Sequence, residues 1–259
     1  MNGILEKKFN KLVNILRGTG KPAIAFSGGL DSTFLVWYAH KLLGRDMTAV
    51  TTDTGCMIPG ELTFATEFCK RHGIAHHIIR VNMPGHDEFA ANGPDRCYYC
   101  KSTMFKMINS FASVNGYTHV ADGTNADDVC KDRPGLRALT EEKIISPLLM
   151  AGFTTKDVAE SLKYYSLIPE ARESNSCLAT RIATGERISA EKLVRVAEAE
   201  EWLKKRGFRG VRVKTTGNNA TIIVAPDGAE MLEDKTFTEE IVNYFAKLGL
   251  MLGERVING

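Results

Sequence analysis

The chain has 259 residues, of which 44% are hydrophobic and 25% are charged, and its formal net charge is +2. This composition is typical of a globular protein with one large or two modest domains, and it provides no strongly basic tail or stripe for nucleic acid. Residues 1–16 are interrupted by charges and match neither a signal peptide nor a membrane span. No other apolar run approaches spanning length, so we expect a cytoplasmic protein.

The first part of the chain is predicted to alternate strands and helices. Apolar residues at helical spacing predict a helix from Ile4 to Leu16, which Gly18 and Gly20 end. The predicted strands that follow cover 22–26, 47–52, 76–81 and 117–123, the predicted helices cover 31–43, 61–73 and 97–112, and 143–148 is a further strand candidate. Such alternation indicates an α/β fold, a parallel sheet with helices on both faces that binds ligands beyond the carboxyl ends of its strands.

The pattern changes after residue 185. A long amphipathic helix over 188–207 is followed by two alternating segments, 208–216 and 219–226, whose connection GNN predicts an antiparallel hairpin. A helix over 238–250 and a short strand over 254–258 complete the prediction. We therefore expect an α/β domain in residues 1–184 and a smaller C-terminal α+β domain in residues 185–259.

The motif SGGLDS lies between the first predicted strand and the helix after it. Gly28 and Gly29 allow a tight turn and close approach of a ligand, Ser27 and Ser32 offer hydroxyls, and the helix N-terminus attracts anions. The motif lacks the Lys of the nucleoside-triphosphatase loop, GxxxxGK[ST]. A turn capped by Ser27 is the alternative. SGGLDS resembles the SGGxDS loop of the ATP pyrophosphatase (PP-loop, HUP-like) superfamily, which implies cleavage of ATP between its α and β phosphates, with Asp31 at the metal or the phosphates.

A second polar loop, DGTNADD, follows the strand predicted over 117–123 and should lie at the same sheet edge. Its oxygen-bearing side chains suit Mg²⁺ or a ribose: Asp122, Asn125, Asp127 and Asp128. Alone, a capped, solvated turn is an equal interpretation. Beside SGGLDS, the loop predicts a site for ATP and Mg²⁺.

Three of the six cysteines suggest a metal site. Cys97 and Cys100 form a CxxC motif, which suits zinc, an iron–sulfur cluster or a redox couple, and Cys177 is the third candidate. His86 could complete a Cys₃His zinc set, although no zinc signature surrounds it. Three thiolates without a fourth ligand suggest a [4Fe-4S] cluster with one open iron, which could hold an extra sulfide for sulfur transfer.

The other thiols are expected in simpler roles. A reduced compartment makes a disulfide framework unlikely for six cysteines. Cys69 lies on a predicted helix and should belong to the core, while Cys56 and Cys130 lie near loop ends and their roles are open. Three unrelated buried thiols are the alternative to the cluster at Cys97, Cys100 and Cys177.

The motifs together resemble one family. SGGLDS, PDRCYYCK, DGTNADD, RPGLRAL, SPL and SCLATRI occur in this order, within about residues 5–225. They are similar to the LarE ATP-dependent sulfur transferases, which build the nickel-pincer nucleotide cofactor of lactate racemase. The resemblance implies that a carboxylate of pyridinium-3,5-biscarboxylic acid mononucleotide is adenylated with ATP and that sulfur then replaces AMP to give a thiocarboxylate.

The resemblance also implies two sources of sulfur. Some members sacrifice the sulfur of one cysteine, which matches Cys177 here, and are left with dehydroalanine. Others carry three cysteines and a [4Fe-4S] cluster that delivers sulfide. Because Cys97 and Cys100 are present, we expect the cluster-bearing branch, with Cys97, Cys100 and Cys177 as ligands.

Several charged residues complete the predicted site. Adenylation needs charge neutralisation more than acid–base chemistry, and Lys101 with Arg133 or Arg137 could supply it. Arg181, four residues after Cys177, could hold the thiolate or a substrate phosphate. Surface cations and a structural salt bridge are the respective alternatives.

A phosphate pocket for the substrate is predicted in the smaller domain. Arg209, Arg212 and Lys214 lie around its first strand, and Arg212 and Lys214 share one face. The resemblance implies that basic residues on this strand bind the substrate phosphate, and Glu200 lies in a matching helix. A solvated strand face is the alternative, and Lys214 departs from the family's usual arginine-rich pattern.

The main competing function is a PP-loop tRNA thiolase. Such an enzyme would need a basic surface for the polynucleotide, and a net charge of +2 gives no indication of one. An amidotransferase-type synthetase and a nucleotide-sensing protein are weaker alternatives. We expect a small-molecule nucleotide substrate, a homo-oligomer and no membrane partner.

Overall fold

The structure, a computed structural model, describes residues 3–128, 134–167 and 176–257. Its α-helices are α1 (Gly3–Gly18), α2 (Leu30–Leu43), α3 (Glu61–His72), α4 (Asp87–Ala90), α5 (Arg96–Val114), α6 (Pro134–Glu141), α7 (Pro147–Ala151), α8 (Thr155–Tyr164), α9 (Ala190–Lys204), α10 (Ala229–Glu233) and α11 (Lys235–Lys247). Its strands are β1 (Pro22–Ala25), β2 (Thr48–Asp53), β3 (His76–Arg80), β4 (His119–Ala121), β5 (Arg212–Thr216), β6 (Asn219–Val224) and β7 (Met251–Ile257). Short 3-10 helices cover Gly44–Asp46, Met83–Gly85, Leu178–Arg181 and Pro226–Gly228.

Four parallel strands form the larger sheet, in the order β3-β2-β1-β4. Ile24 of β1 pairs with Ala49 on one side and with Ala121 on the other, so β1 is central. Consecutive strand residues point to opposite faces of a sheet. Ile24 accordingly packs in a core with α1, α2, α3, α7 and α8, whereas Ala23 packs in a second core with α5 and α6. The predicted parallel sheet with helices on both faces is confirmed.

The segment 143–148 does not form the additional strand that the sequence suggested. Ile145 makes only an isolated parallel bridge with Ala121, and α7 begins two residues later. Pro147 has no N–H to donate to a ladder, and its fixed φ suits the first position of a helix. The helix α8 was not predicted, although Thr154 and Asp157 form a capping box at its start.

The chain divides into two compact units that are discontinuous in sequence. The unit that we call the sheet unit contains Met1–Thr54, Gly60–Val81 and Cys97–Asn175. The unit that we call the small unit contains Gly55–Pro59, Asn82–Arg96 and Ser176–Gly259. The domain boundary predicted between residues 184 and 185 stays a prediction.

The small unit has its own three-stranded sheet, in the order β5-β6-β7. β5 and β6 are antiparallel, from the pair Arg212 and Ile223 to the pair Thr216 and Asn219, so the predicted hairpin is confirmed. β7 pairs in parallel with β6 at the edge, and all of its residues except Leu252 are exposed. Within the described ranges, no helix of either unit has the length and apolar character required to cross a membrane.

Phe9 tests the core beside α1. Its ring lies 5.2–6.2 Å from the rings of Phe34, Tyr38, Phe153 and Tyr165, measured between centroids. Phe9→Ala should lower the free energy of unfolding by about 3–5 kcal/mol, because it leaves a cavity among aromatic rings. Urea unfolding provides the measurement. Ile4→Ala, at an exposed position on the same helix, is the control and should change the free energy by less than about 0.5 kcal/mol; equal effects of the two variants would contradict this account of the core.

Candidate active site

The SGGLDS loop forms a cradle between β1 and α2. Gly28 has a φ of +81°, in the left-handed region, and Gly29 precedes the first residue of α2 without a side-chain cap. The hydroxyls of Ser27 and Ser32 lie 3.0 Å apart, and Ser32 Oγ lies 3.1 Å from the carbonyl oxygen of Gly29, to which it can donate. The first N–H groups of a 14-residue helix therefore face an open turn, which is the arrangement that binds a phosphate.

Asp31 lies on the first turn of α2. Its Oδ1 atom is buried and has no hydrogen-bond partner within the described residues. Burial raises the pKa of the Asp31 carboxyl above its ordinary value, while a hydrogen bond with the Asn125 side chain lowers it. The negative charges of Asp128 and Asp127 raise this pKa further. The buried, partnerless oxygen of Asp31 thus lies in the field of two further negative charges.

Gly123 brings the DGTNADD loop against the SGGLDS loop. A Cβ atom at Gly123 would lie 2.9 Å from the backbone nitrogen of Ser32 and 3.0 Å from its Cα. Real Cβ atoms do not approach a backbone this closely, so only glycine fits between the two loops. The sequence motifs did not single out Gly123 for this role, although a glycine two residues after a strand end can signal close backbone approach.

The polar residues of DGTNADD have different surroundings. Asp122 accepts hydrogen bonds from Ser146 Oγ at 2.6 Å and from Thr124 Oγ1, so both of its carboxylate oxygens have partners within the fold. Asn125 is buried, and its Oδ1 accepts from the Asp127 backbone N–H at 2.8 Å. These contacts favour a structural role for Asp122. Asp127 Oδ2 accepts from the Thr155 N–H at 2.8 Å and Asp128 Oδ2 accepts from the Asn125 N–H at 3.2 Å, and both charges act on Asp31.

The CxxC motif lies on the first turns of α5. Cys97 is exposed and Cys100 is half-buried, with its Sγ 3.7 Å from Met104 Sδ. The Lys101 side chain lies over Gly135 of α6, where a Cβ would come within 2.8 Å of Lys101 Cδ. The role of Lys101 beside the two thiols stays a prediction.

The Arg137 side chain contacts residues on the surface of α5 and α6. Its guanidinium lies 3.7 Å from the Tyr98 ring centroid, and its Nε lies 3.6 Å from Glu141 Oε1. Tyr98 donates to the same carboxylate at 2.6 Å. These contacts favour the surface-cation alternative for Arg137, while Arg133 lies outside the described residues.

Cys177 lies in the small unit, immediately before the 3-10 helix Leu178–Arg181. Thr180 donates to the Cys177 carbonyl oxygen from its N–H at 3.0 Å and from its Oγ1 at 2.8 Å. The Leu178 N–H donates to the carbonyl oxygen of Cys56 at 2.9 Å, so buried Cys56 belongs to the same neighbourhood. The thiol itself is half-buried.

Arg181 and Glu200 form a buried ion pair. Arg181 Nε donates to Glu200 Oε1 at 2.6 Å, and both side chains are 2% exposed. The Nη1 group of Arg181 donates to Ser176 Oγ at 2.7 Å and to Thr180 Oγ1 at 2.9 Å. The pair therefore fixes the residues on either side of Cys177, which agrees with the salt-bridge alternative for Arg181.

Glu200 also connects this pair to β5. Its Oε1 accepts from the Val213 N–H at 3.1 Å, and Val213 lies between Arg212 and Lys214. Lys214 is exposed and Arg212 is half-buried, on the face of β5 opposite to buried Val213. Arg209 is exposed before the strand. The structure thus joins Glu200 to the strand that carries the predicted phosphate-binding residues.

The remaining candidates are placed as follows. Cys69 is buried, as predicted, and burial raises the pKa of its thiol to about 12. His86 follows the 3-10 helix Met83–Gly85 in the small unit. Cys130 lies outside the described residues. No group of three or more His, Cys, Asp or Glu side chains is arranged to hold a metal ion in the described part of the chain.

Comparisons with known proteins agree with this geometry. The family model for the queuosine biosynthesis protein QueC matches residues 21–91, which include β1, the phosphate cradle and β3. An uncharacterised protein of Synechocystis, slr1717, is 32% identical over 96% of this chain and 92% of its own length. The pyridinium-3,5-bisthiocarboxylic acid mononucleotide synthase of Lactiplantibacillus plantarum is 30% identical over 84% of this chain and 79% of its own length.

The chain belongs to the LarE family. It is accordingly an enzyme of the PP-loop superfamily, an ATP-dependent sulfur transferase. A further relative, the tRNA-5-methyluridine(54) 2-sulfurtransferase of Pyrococcus horikoshii, is 33% identical over 48% of this chain and 42% of its own length. The LarE match covers 84% of the chain, whereas the QueC family model matches residues 21–91, which contain β1, β2 and β3.

The phosphate cradle of this LarE protein fits ATP with Mg²⁺. Mg²⁺ prefers hard oxygen ligands, and the partnerless Oδ1 of Asp31 is such an atom, beside the charges of Asp127 and Asp128. The fit of a [4Fe-4S] cluster is different. Cys97 and Cys100 belong to the sheet unit and Cys177 belongs to the small unit, and the cluster stays a prediction.

The raised pKa of Asp31 predicts a trade-off between stability and nucleotide binding. An ionised carboxylate with a raised pKa destabilises the fold above that pKa, and the penalty vanishes below the ordinary value of 3.8. Without ligand, Asp31→Asn should therefore melt at a higher temperature than the wild type at pH 7, and the difference should disappear toward pH 4. Mg²⁺ with ATP should stabilise the wild type and not the variant. Thermal unfolding between pH 4 and 8 measures both effects.

Asp46→Asn is the matched control for Asp31→Asn. Asp46 is exposed and pairs with exposed Lys21 at 3.5 Å, so its removal should leave the melting temperature unchanged at every pH. A ligand-free Asp31→Asn protein that melts below the wild type at pH 7 would contradict the assignment.

Gly123→Ala tests the contact between the two loops. The added methyl group would press on the backbone nitrogen of Ser32, whose N–H belongs to the cradle, and should weaken ATP binding by about 10- to 100-fold. Calorimetric titration with ATP and Mg²⁺ gives the affinity. Gly18→Ala, where a Cβ meets nothing within 4 Å, should bind ATP as the wild type does. Equal affinities for all three proteins would rule out the steric argument.

Proposed function

We propose that this enzyme adenylates a carboxylate of pyridinium-3,5-biscarboxylic acid mononucleotide and replaces the AMP with sulfur to give a thiocarboxylate. The name of the Lactiplantibacillus relative supports the substrate, since that protein is a pyridinium-3,5-bisthiocarboxylic acid mononucleotide synthase. The observation that carries the chemistry is the partnerless carboxylate oxygen of Asp31 beside the phosphate cradle. It supports Mg²⁺-assisted binding of ATP at the end of β1.

The adenylation step follows from the cradle. Ser27, Gly28, Gly29 and Ser32 at the N-terminus of α2 would hold the triphosphate, and Asp31 would hold Mg²⁺, which would neutralise phosphate charge. A substrate carboxylate is already anionic at pH 7 and needs no base. Its oxygen forms a bond to the α-phosphorus, the bond from this phosphorus to the β-phosphate oxygen breaks, and pyrophosphate leaves. Lys101 is the proposed cation that assists this step.

The sulfur step requires a nucleophile for the acyl carbon. The Cys177 thiolate is the proposed source: its sulfur bonds to the acyl carbon, AMP leaves with its electron pair, and a thioester forms. Loss of the Cys177 α-proton then expels the thiocarboxylate and leaves dehydroalanine, so the atoms balance without an oxidant. A [4Fe-4S] cluster on Cys97, Cys100 and Cys177 stays a prediction from the cysteine spacing, and we derive no step through it.

The substrate phosphate is assigned to the small unit. Arg212 and Lys214 share the exposed face of β5, and Glu200 is bonded to the residue between them. Two cations on one strand face suit a phosphate monoester, with Lys214 as a point charge and Arg212 able to donate two parallel bonds.

The predicted homo-oligomer stays a prediction.

A second candidate function is thiolation of tRNA. The Pyrococcus relative favours it, since that protein is a tRNA 2-sulfurtransferase with 33% identity over 131 residues. Its match covers about half of this chain, whereas the LarE match covers 84%. The mononucleotide is therefore the better-supported substrate.

Anoxic purification followed by assays with each substrate tests the proposal. Pyrophosphate should be released from ATP with the mononucleotide and not with tRNA. Cys177→Ala should retain pyrophosphate release and form no thiocarboxylate, because adenylation precedes the sulfur step. Lys247→Ala, on the exposed end of α11, serves as a control and should behave as the wild type. Release that depends on tRNA alone would overturn the proposal.

Iron and sulfide analysis with intact mass after turnover identifies the sulfur source. A chain that becomes lighter by one hydrogen sulfide supports donation from Cys177. A chain of unchanged mass with bound iron and sulfide supports the cluster and contradicts the dehydroalanine step.

A further inference from the structure

Asn92 occupies a strained, wholly buried position in the small unit. Its φ is +55°, in the left-handed region, and its side chain is 0% exposed. A residue with a side chain adopts this conformation at an energetic cost that glycine avoids. Asparagine adopts this region more readily than other residues with a side chain, and its amide can also donate and accept hydrogen bonds within the buried site.

The Asn92 amide binds the segment that follows Cys177. Its Nδ2 group lies within hydrogen-bond distance of three backbone carbonyl oxygens, those of Ile182 at 3.3 Å, Ala183 at 2.8 Å and Glu186 at 3.1 Å. The backbone carbonyl oxygen of Asn92 accepts from the Gly185 N–H at 2.9 Å. One side chain and its backbone thus hold a turn of five residues.

Arg96 extends this contact to the 3-10 helix that begins after Cys177. Its Nη1 group donates to Asn92 Oδ1 and to the carbonyl oxygen of Ala179 at 3.2 Å. Arg96 is also the residue immediately before Cys97 of the CxxC motif. The guanidinium therefore orients the Asn92 amide and contacts the Cys177 segment with the same nitrogen.

The same segment is held from a second direction by β5. The Ala183 N–H donates to the Thr215 carbonyl oxygen at 3.0 Å, and Glu200 connects Arg181 to Val213. Asn92 and Arg96 supply the contacts from outside this sheet. Without these two side chains, the turn after Cys177 would keep its contacts to β5 and the backbone bonds from the Gly185 N–H to the Asn92 carbonyl oxygen and from the Ile188 N–H to the Ala90 carbonyl oxygen, and it would lose the side-chain contacts.

We propose that Asn92 and Arg96 are positioning residues for Cys177, acting through the carbonyl oxygens of Ala179 and residues 182–186. This inference rests on the proposed role of Cys177 in the sulfur step. Sulfur attack requires the thiol within about 1 Å of its productive position, and misplacement of that size costs about 100-fold in rate. Adenylation uses the phosphate cradle of the sheet unit and does not need this placement.

Two variants test the proposal. Asn92→Gly tolerates the positive φ and removes the side-chain hydrogen bonds together with the buried side-chain volume, so its effect does not arise from backbone strain. Arg96→Lys keeps the charge and loses the planar donor group. We expect thiocarboxylate formation to slow by about 100-fold in Asn92→Gly and about 10-fold in Arg96→Lys, with pyrophosphate release and KM for ATP unchanged.

Alkylation of Cys177 by iodoacetamide, followed by peptide mass spectrometry, is the readout that needs no substrate. In the protein as purified, a loosened segment should expose the half-buried thiol and raise its alkylation rate severalfold in both variants, while the rate at Cys100 stays the same. This measurement remains informative if the proposed sulfur step is wrong, because it reports the placement of the thiol alone.

Arg187→Ala is the matched control, because the exposed pair of Arg187 and Asp87 joins the same two segments at 2.6 Å. It should leave the alkylation rate and both partial reactions unchanged. The inference is overturned if the Cys177 alkylation rate is the same in all proteins, or if the two partial reactions fall together in Asn92→Gly and Arg96→Lys.

Discussion

The backbone contact between Gly123 and the first turn of α2 is the constraint on which the predicted nucleotide site depends. β1 and β4 are parallel neighbours, so the loops after them emerge side by side, but only a residue without Cβ lets them touch. This contact brings the acidic residues of DGTNADD close to Asp31. Burial and these like charges both raise the pKa of the Asp31 carboxyl. The phosphate cradle and the acidic group are therefore one structure that two distant motifs build together.

The sequence predicted the sheet better than it predicted the site. The hydrophobic periodicity of the sequence predicted β1, β2, β3 and the antiparallel hairpin, because alternation and apolar spacing are local signals. The short strand candidate over 143–148 failed because Pro147 ends pairing there. Asp122 illustrates the limit at the site. Its residue type suits a metal, yet Ser146 and Thr124 donate to its two oxygens, and no local pattern reveals a partner such as Ser146 that lies 24 residues away.

The buried pair of Arg181 and Glu200 shows how charged residues can fix the backbone around a thiol without contacting substrate. Burying two charges is costly unless their remaining hydrogen-bonding groups find partners, and here Ser176, Thr180 and Val213 supply them. The pair therefore specifies the conformation around Cys177. Spacing along the chain placed Arg181 near Cys177, but only the fold reveals that its charge is already matched. A direct role of Arg181 toward thiolate or phosphate stays a prediction.

The edge strand β7 has a consequence for solubility. An exposed edge presents a row of backbone donors and acceptors that can template another strand, and Met251, Val256 and Ile257 would add apolar contact to such a pairing. Glu254 and Arg255 interrupt this apolar sequence with opposite charges, and the Arg255 guanidinium donates a hydrogen bond to the Leu232 carbonyl oxygen. Intermolecular β-pairing must therefore desolvate or match these charges, so the two residues act as gatekeepers against aggregation at the end of the small sheet.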